Sequence, residues 1–393
     1  MGNSGGYATI WAERPIRRLL VASLAGRVAF SMLPLGVVLF ATDVTHSNAT
    51  TGALVAAFLL ASTLAPVRGR IVDRRGPPAL VAFAAACSAG LLALWAAGAS
   101  GVPTALLLAL AALTGAVVPP LGPFTRAVWG AALRGRGERL QHVYALDSAG
   151  EEAALIVAPL IVAAIFATGS AGGALVVAAL GLLAGTAATA RSELTAMLTP
   201  GREAPAGETS SRFPAALWFV IASLLGPGAA LGALNVAVPA LTRAAGSPAS
   251  AGLLLAALAI GTAAASLIAG RRAWRRPPMQ RLGLLQLLFA AALAGAAALS
   301  HRPELVALVL VIAGGAVGAL FVTVYVLVDE LTPPGTGTRT FAWLAAANNG
   351  GIAAGAAGAG ALISGAPEAA GLWLAVGCAL AGVGLATLAG VAR

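Results

Sequence analysis

Four ionisable side chains of this sequence stand inside long apolar runs, where no water is at hand to solvate a charge. Arg27 interrupts the run from Leu19 to Ala41, and Asp147, Glu151 and Glu152 fall together in a later one. Each such group costs a few kcal/mol or more in hydrocarbon, so each marks a site of function or a place where a partner waits. On a helix Asp147 and Glu151 share a face, and Glu152 lies about 100° round from Glu151. At about 1.5 Å per residue, Arg27 and Glu151 sit at similar depth, roughly 15 Å from one end of their helices. The simplest account pairs Arg27 with one carboxylate and leaves another acid without a basic partner. A carboxyl in low dielectric keeps its proton to higher pH, and two adjacent carboxyls raise one another further. Such an acid suits the loading and release of a proton near neutrality. The other account is a polar network that only locks two helices together. Asp147, nearer the end, reads as a gate or a snorkelling residue.

The elements that must hold these groups follow from composition. Of 393 residues 59% are hydrophobic and only 10% charged, with a mean hydropathy of +0.90. A soluble domain could not cover its surface with so few charges. The apolar residues fall into blocks of about 20, the length that crosses roughly 30 Å of hydrocarbon. We place spans at 16–41, 49–67, 78–98, 103–128, 140–168, 171–190, 214–242, 249–270, 281–299, 304–328, 338–364 and 368–391. Backbone groups in lipid must be satisfied within the segment, and the alternation of a β-barrel is absent, so the blocks are helices. The expected fold is an all-α membrane protein of about twelve transmembrane helices.

Charge sets the orientation. All 24 basic residues are Arg, which most simply reflects a GC-rich coding sequence. They cluster between apolar blocks rather than on one domain face, which argues against a nucleic-acid partner despite the net charge of +10. With an even number of spans, every Arg except Arg27, Arg243 and Arg302 falls on one side. That side is cytoplasmic and holds both termini, in a multi-pass protein of the inner membrane. The polar stretch 191–213, carrying Pro200, Gly201, Pro205 and Gly207, reads as a cytoplasmic linker between bundles at 1–190 and 214–393. Arg14, Arg17 and Arg18 before an apolar run look like a signal peptide, but the run is too long for one and is the first helix. Cys87 and Cys378 lie in apolar segments and read as small core residues.

The two bundles resemble one another. Gly69-Arg-Ile-Val-Asp-Arg-Arg-Gly-Pro-Pro78 answers Gly270-Arg-Arg-Ala-Trp-Arg-Arg-Pro-Pro278, and Gly115-Ala-Val answers Gly315-Ala-Val. Tyr144-Ala-Leu-Asp-Ser-Ala-Gly-Glu-Glu152 answers Phe341-Ala-Trp-Leu-Ala-Ala-Ala-Asn-Asn349. The shared offset, near half the chain, implies parallel halves related about the membrane normal.

With these residues in view the chain resembles the major facilitator superfamily over essentially its whole length. The most specific piece is Gly69, Asp73, Arg74 and Gly76, similar to that family's signature between the second and third helices. The resemblance implies that this loop braces the cytoplasmic ends of helices. The physics agrees: Gly permits close helix approach, and Asp73 can cap a helix N-terminus or pair with an Arg. The resemblance further implies a secondary transporter of the drug/proton-antiporter type, and Tyr144–Pro159 resembles uncharacterised actinobacterial members. Two departures stand out. The fourth helix has no Arg before Arg126, and the fifth has Ala158-Pro159 where antiporters carry Gly-Pro with further glycines.

Other polar residues are candidates by position. Asn348 and Asn349 match Glu151 and Glu152 in the repeat, and offer hydrogen bonds to a substrate or to a facing helix. Gly350, Gly351, Gly355 and Gly358 beyond them permit close packing. In the family the first, fourth, seventh and tenth helices line the cavity, which favours Asn235 and Tyr325 over Gln286. Asp329 and Glu330 close the tenth helix, as a gate partnered with Arg339 or a loop Arg. Pro119, Pro120 and Pro123, and Pro34 with Gly36, are expected to distort their helices. His46, His142 and His301 are scattered, there is no phosphate-binding loop, and no metal or cofactor is expected. The expected activity is therefore not enzymatic. It is proton-coupled efflux of a small apolar or cationic molecule by a monomer in contact with membrane lipid. The alternative is uptake of a polar metabolite such as a sugar.

Overall fold

The computed structural model describes residues 6–168, 172–198, 213–247, 250–272 and 274–391. Most of the expected linker, 199–212, lies outside them. Helix is the only regular structure in the described residues apart from one short 3-10 turn, Glu193–Met197. The helices are α1 Tyr7–Ala12, α2 Arg14–Ser31, α3 Leu33–Thr45, α4 Asn48–Ser62, α5 Ala65–Arg75, α6 Pro77–Ala99, α7 Thr104–Ala116, α8 Leu121–Ala132, α9 Gly137–Ala167 and α10 Gly173–Ala190. They continue with α11 Ala215–Ser223, α12 Leu225–Ala244, α13 Ser250–Arg271, α14 Pro278–Ala298, α15 Pro303–Leu331, α16 Gly337–Ile363 and α17 Ala369–Val391.

Among the described residues ten helices are long and apolar enough to cross a membrane, or eleven if α4 and α5, bent by 42°, count as one span. α16 has 27 residues but stands outside that set, because Asn348, Asn349 and its glycines dilute its apolar character. Large apolar side chains such as Leu60, Leu253 and Leu308 are exposed at 70%, 73% and 61%, as a surface that faces lipid requires. The chain is thus a multi-pass membrane protein.

Prolines break the spans where expected. The first divides at Met32, with Pro34 in the first turn of α3. The fourth divides at Val117–Pro120, between α7 and α8. A ring in place of a backbone N–H removes an interior helical bond but is tolerated in a first turn. Two further breaks were not foreseen from the sequence. One lies at Thr63–Leu64, ahead of Pro66, and one at Leu224, ahead of Pro227.

By their contacts the residues form two compact units. The first comprises 1–134, 153–207 and 334–342; the second comprises 135–152, 208–333 and 343–393. The first four turns of α9 therefore belong with the second unit and the start of α16 with the first. Within each unit the same helices meet. In the first, α4 packs on α7, and α10 packs on α2 and α6; in the second, α13 packs on α15, and α17 packs on α12 and α14. The repeat read from sequence thus recurs as a repeat of packing. Glycines set its tightest points. A Cβ at Gly185 would collide with the backbone of Gly26, and one at Gly226 with the backbone of Gly382, so each unit joins its first and last spans through a glycine pair. Gly351 and Gly355 press on the backbone of α12, as expected, while nothing lies within 4 Å of a Cβ at Gly350.

Gly226→Ala is expected to lower the thermal midpoint of the purified protein, by an overpacking cost of about 1–3 kcal/mol. Gly252→Ala, which meets nothing within 4 Å, is expected to leave it unchanged in the same melt.

Candidate functional site

The signature loop folds as the end of α5, and its carboxylate reaches far along the chain. The two oxygens of Asp73 accept from the backbone N–H of Thr338 at 2.9 Å and of Arg339 at 2.8 Å, in the first turn of α16. A helix leaves its first four N–H groups without internal partners and carries partial positive charge there, so a carboxylate fits both needs. Gly69 makes the approach possible: a Cβ there would sit 2.9 Å from Arg339 Cα and 3.0 Å from Thr338 O. Gly76 ends α5 with φ +73, a backbone angle that a residue with a Cβ rarely takes. Arg74 is exposed and Arg339 half-buried. The structure therefore brings Gly69, Asp73 and Arg339 together, within the first unit.

The second unit carries the counterpart of this clamp with its chemistry reversed. Gln141, at the start of α9, donates through Nε2 to Ala269 O at 2.6 Å and to Gly270 O and Arg272 O at 3.1 Å. Here a side-chain amide serves the carbonyl end of α13. In the repeat Gln141 occupies the position of Thr338, so each unit ties the end of one helix to the start of another, once through N–H groups and once through C=O groups. Two turns further along α9, the Ser148 hydroxyl lies 3.2 Å from that of Ser266.

Arg68, read from sequence as one of many cytoplasmic arginines, is instead buried at 3% exposure. Its Nη1 donates to Ala116 O at 2.8 Å and Gly115 O at 3.2 Å, and its Nη2 to Ser62 O at 2.8 Å. Those carbonyls end α7 and α4, at the two breaks. One guanidinium thus neutralises two helix C-termini, where a cation is favoured. Arg126 and Arg281 are also buried, at 4% and 6%. Neither Arg68 nor Gln141 could be singled out from sequence. An arginine serving a broken helix and one obeying the charge rule look alike, and the repeat alone hinted at Gln141.

The ionisable groups that opened the sequence reading fall in separate units. Arg27, on α2, is buried at 6% and donates through Nη2 to Ser23 Oγ at 3.3 Å; it borders Gly122 together with Arg126. On α9, Asp147 is buried at 1%, while Glu151 and Glu152 are half-buried. Tyr144, one turn before Asp147, meets the ring of Tyr325 with centroids 5.8 Å apart, and Phe321 stacks on Tyr325 at 6.0 Å. Tyr144, Tyr325 and Phe321 thus form an aromatic group within the second unit. Asn348 is half-buried with no hydrogen-bond partner for Oδ1 among the described residues, and its carbonyl lies against Gly228. Asn235 and Asn349 are exposed. Gln286 is buried completely and donates to Ser223 O at 3.2 Å, at the break in the seventh span. Asp329 is half-buried, and Glu330 is exposed and acts electrostatically on Arg281. Among the described residues no group of three or more His, Cys, Asp or Glu is placed to hold a metal ion.

These broken, paired spans and their repeated packing have counterparts among known proteins. Residues 222–392 match the Major Facilitator Superfamily model. The chain has the fold of major facilitator transporters. It superposes with a TM-score of 0.79 on a bacterial homologue of the iron transporter ferroportin in an outward-facing state, at 13% identity, over 96% of this chain and 100% of that one. The human organic anion transporter MFSD10 (TETRAN) gives 0.68 at 18% identity, over 97% and 100%. The proton:xylose symporter XylE, bound to 6-bromo-6-deoxy-D-glucose, gives 0.68 at 12% identity over 94% of each chain. No curated protein matches the chain.

Replacing Asp73 by Ala is expected to speed hydrogen exchange of the Thr338 and Arg339 amides. A capping carboxylate contributes about 1 kcal/mol, which corresponds to roughly a five-fold change in the opening equilibrium. Exchange mass spectrometry of the start of α16 reads this directly.

Proposed function

We propose that the chain is a secondary active transporter of the cytoplasmic membrane that exports a small apolar or cationic molecule in exchange for protons, by alternating access. The observation that carries the reading is the acidic set of α9: Asp147, Glu151 and Glu152 within two turns of a membrane-crossing helix, one of them 1% exposed. Carboxyls in a membrane-crossing helix can carry a proton across the cycle, and they attract cations when ionised. Tyr144, on the same helix, and Tyr325 add π-faces, which suit an organic cation. Asp73 and Gln141 act as gates, holding helix ends that must separate as the cycle turns. Twelve spans in two parallel six-helix bundles, with both termini cytoplasmic, complete the proposal.

A second reading is uptake of a polar metabolite. It is favoured by the buried Oδ1 of Asn348, an acceptor without a partner among the described residues, and by the sugar that XylE binds. The two readings separate in one experiment. Purified protein is titrated with a panel of lipophilic cations and with sugars while proton release is followed, alongside Glu151→Gln and Glu152→Gln. The first reading expects a cation to release protons in the parent protein and not in one of the variants. Binding of any ligand with no proton release in the parent would overturn it.

A further inference from the structure

The loop between α13 and α14 occupies, in the second half of the chain, the place that the Asp73 loop occupies in the first. Position for position, Gly270 stands for Gly69, Arg275 and Arg276 for Arg74 and Arg75, and Trp274 for Asp73. The repeat has therefore kept its cations and lost its anion. No acidic residue occurs in the sequence between Glu208 and Glu304, so the loop has none of its own.

The indole that replaces the carboxylate gathers positive charge instead. The guanidinium carbons of Arg272 and Arg281 each lie 5.1 Å from the centre of the Trp274 ring. The indole N–H donates to Ala269 O at 3.1 Å, which pins the ring to the end of α13. Arg272, Arg275 and Arg276 are exposed. Arg281 is only 6% exposed, and its Nε has no hydrogen-bond partner among the described residues. The acid that acts on it is Glu330 of α15. Arg272 and Arg281 thus meet at one indole where two membrane-crossing helices end, with Arg275 and Arg276 exposed in the same loop. Like charges brought together in this way repel unless an anion joins them, and cation–π contacts give only part of the compensation.

We propose that Arg272, Trp274 and Arg281, with Arg275 and Arg276 at the rim, form a binding site for the phosphate of an anionic phospholipid in the leaflet that this loop faces. Trp at an interface and a cluster of Arg at helix ends are the chemistry that recognises such a headgroup. Guanidinium groups hold phosphate through paired N–H donors, which a lone surface charge does not. The acyl chains lie along the exposed apolar residues Leu284, Leu287 and Leu288 of α14. The same α13 end gives Gln141 its three carbonyl acceptors, so the bound lipid steadies the α9–α13 clamp. This site rests on the membrane embedding and the arginine-rich side, and not on the coupling ion or the cargo.

The test uses the full-length protein in neutral detergent. Dioleoylphosphatidylglycerol or dioleoylphosphatidylcholine is titrated in while retained lipid is counted by native mass spectrometry and the melting midpoint is followed. Phosphatidylglycerol is expected to bind more tightly and to raise the midpoint. Arg272→Gln is expected to weaken its retention about five-fold, the share of one arginine near a charged surface, and Trp274→Leu by a similar factor. Both loop variants are expected to melt like the parent in phosphatidylcholine, which separates lost binding from lost folding. The exposed Arg75→Gln, in the first unit, is expected to change nothing. Equal losses in Arg75→Gln would overturn the site in favour of diffuse charge. Inorganic phosphate raising the midpoint as much as the lipid would overturn the lipid as its occupant. Unchanged retention in both loop variants would overturn the proposal altogether.

Discussion

A peptide group in hydrocarbon must find its hydrogen bond within the protein, and every broken helix in this chain leaves groups that cannot find one in their own segment. The structure depends on how those groups are served. Arg68 takes the carbonyls left at the ends of α4 and α7. Gln286 takes the Ser223 carbonyl at the break of the seventh span. Asp73 takes the first N–H groups of α16, and Gln141 takes the last carbonyls of α13. These four side chains are polar or charged because the backbone around them is interrupted. At the breaks inside the spans, where Arg68 and Gln286 act, an unserved group would cost the full desolvation penalty, several kcal/mol in an apolar surround.

The same economy separates the packing within each unit from the clamps at the helix ends. Packing within each unit is fixed by glycine pairs that let backbones touch, and such contacts tolerate little adjustment. The clamps at the helix ends are of another kind. Each rests on two or three hydrogen bonds, each replaceable by water near the membrane surface, so opening one costs little beside repacking a helix pair. The proposed transport cycle would use that division, with rigid bodies and joints that exchange partners.

Much of this was legible in the sequence. Blocks of apolar residues about one bilayer long, separated by arginines, gave most of the helices, although the second span, expected to end at 67, continues as α5 to Arg75; the repeat showed in Gly69–Pro78 against Gly270–Pro278 before any contact was known. Proline placed the breaks at Met32 and at Val117–Pro120. The breaks at Leu64 and Leu224 were missed, because Pro66 and Pro227 stand in runs whose hydropathy does not falter. Asp73 was found as a cap because its spacing in the loop is specific. Arg68, Arg126 and Arg281 were misjudged as surface charges, since nothing local separates an arginine that bonds carbonyls two spans away from one that faces water. The polar faces differ in surroundings: Tyr325 is buried beside aromatic rings, whereas Asn235 and Asn349 are exposed. A helix's period places a residue on a face without saying what that face meets.

The central claim is that the acids of α9 make solute movement depend on protons. Its most direct test is flux through the protein reconstituted in liposomes, with a lipophilic cation loaded inside and a pH step imposed across the membrane. The account predicts that efflux accelerates when the outside is made more acidic, falls to the leak rate with a protonophore, and loses its pH dependence in Glu152→Gln. Efflux well above the leak rate that ignores both the gradient and the protonophore would contradict it, and would leave Asp147, Glu151 and Glu152 as structural groups.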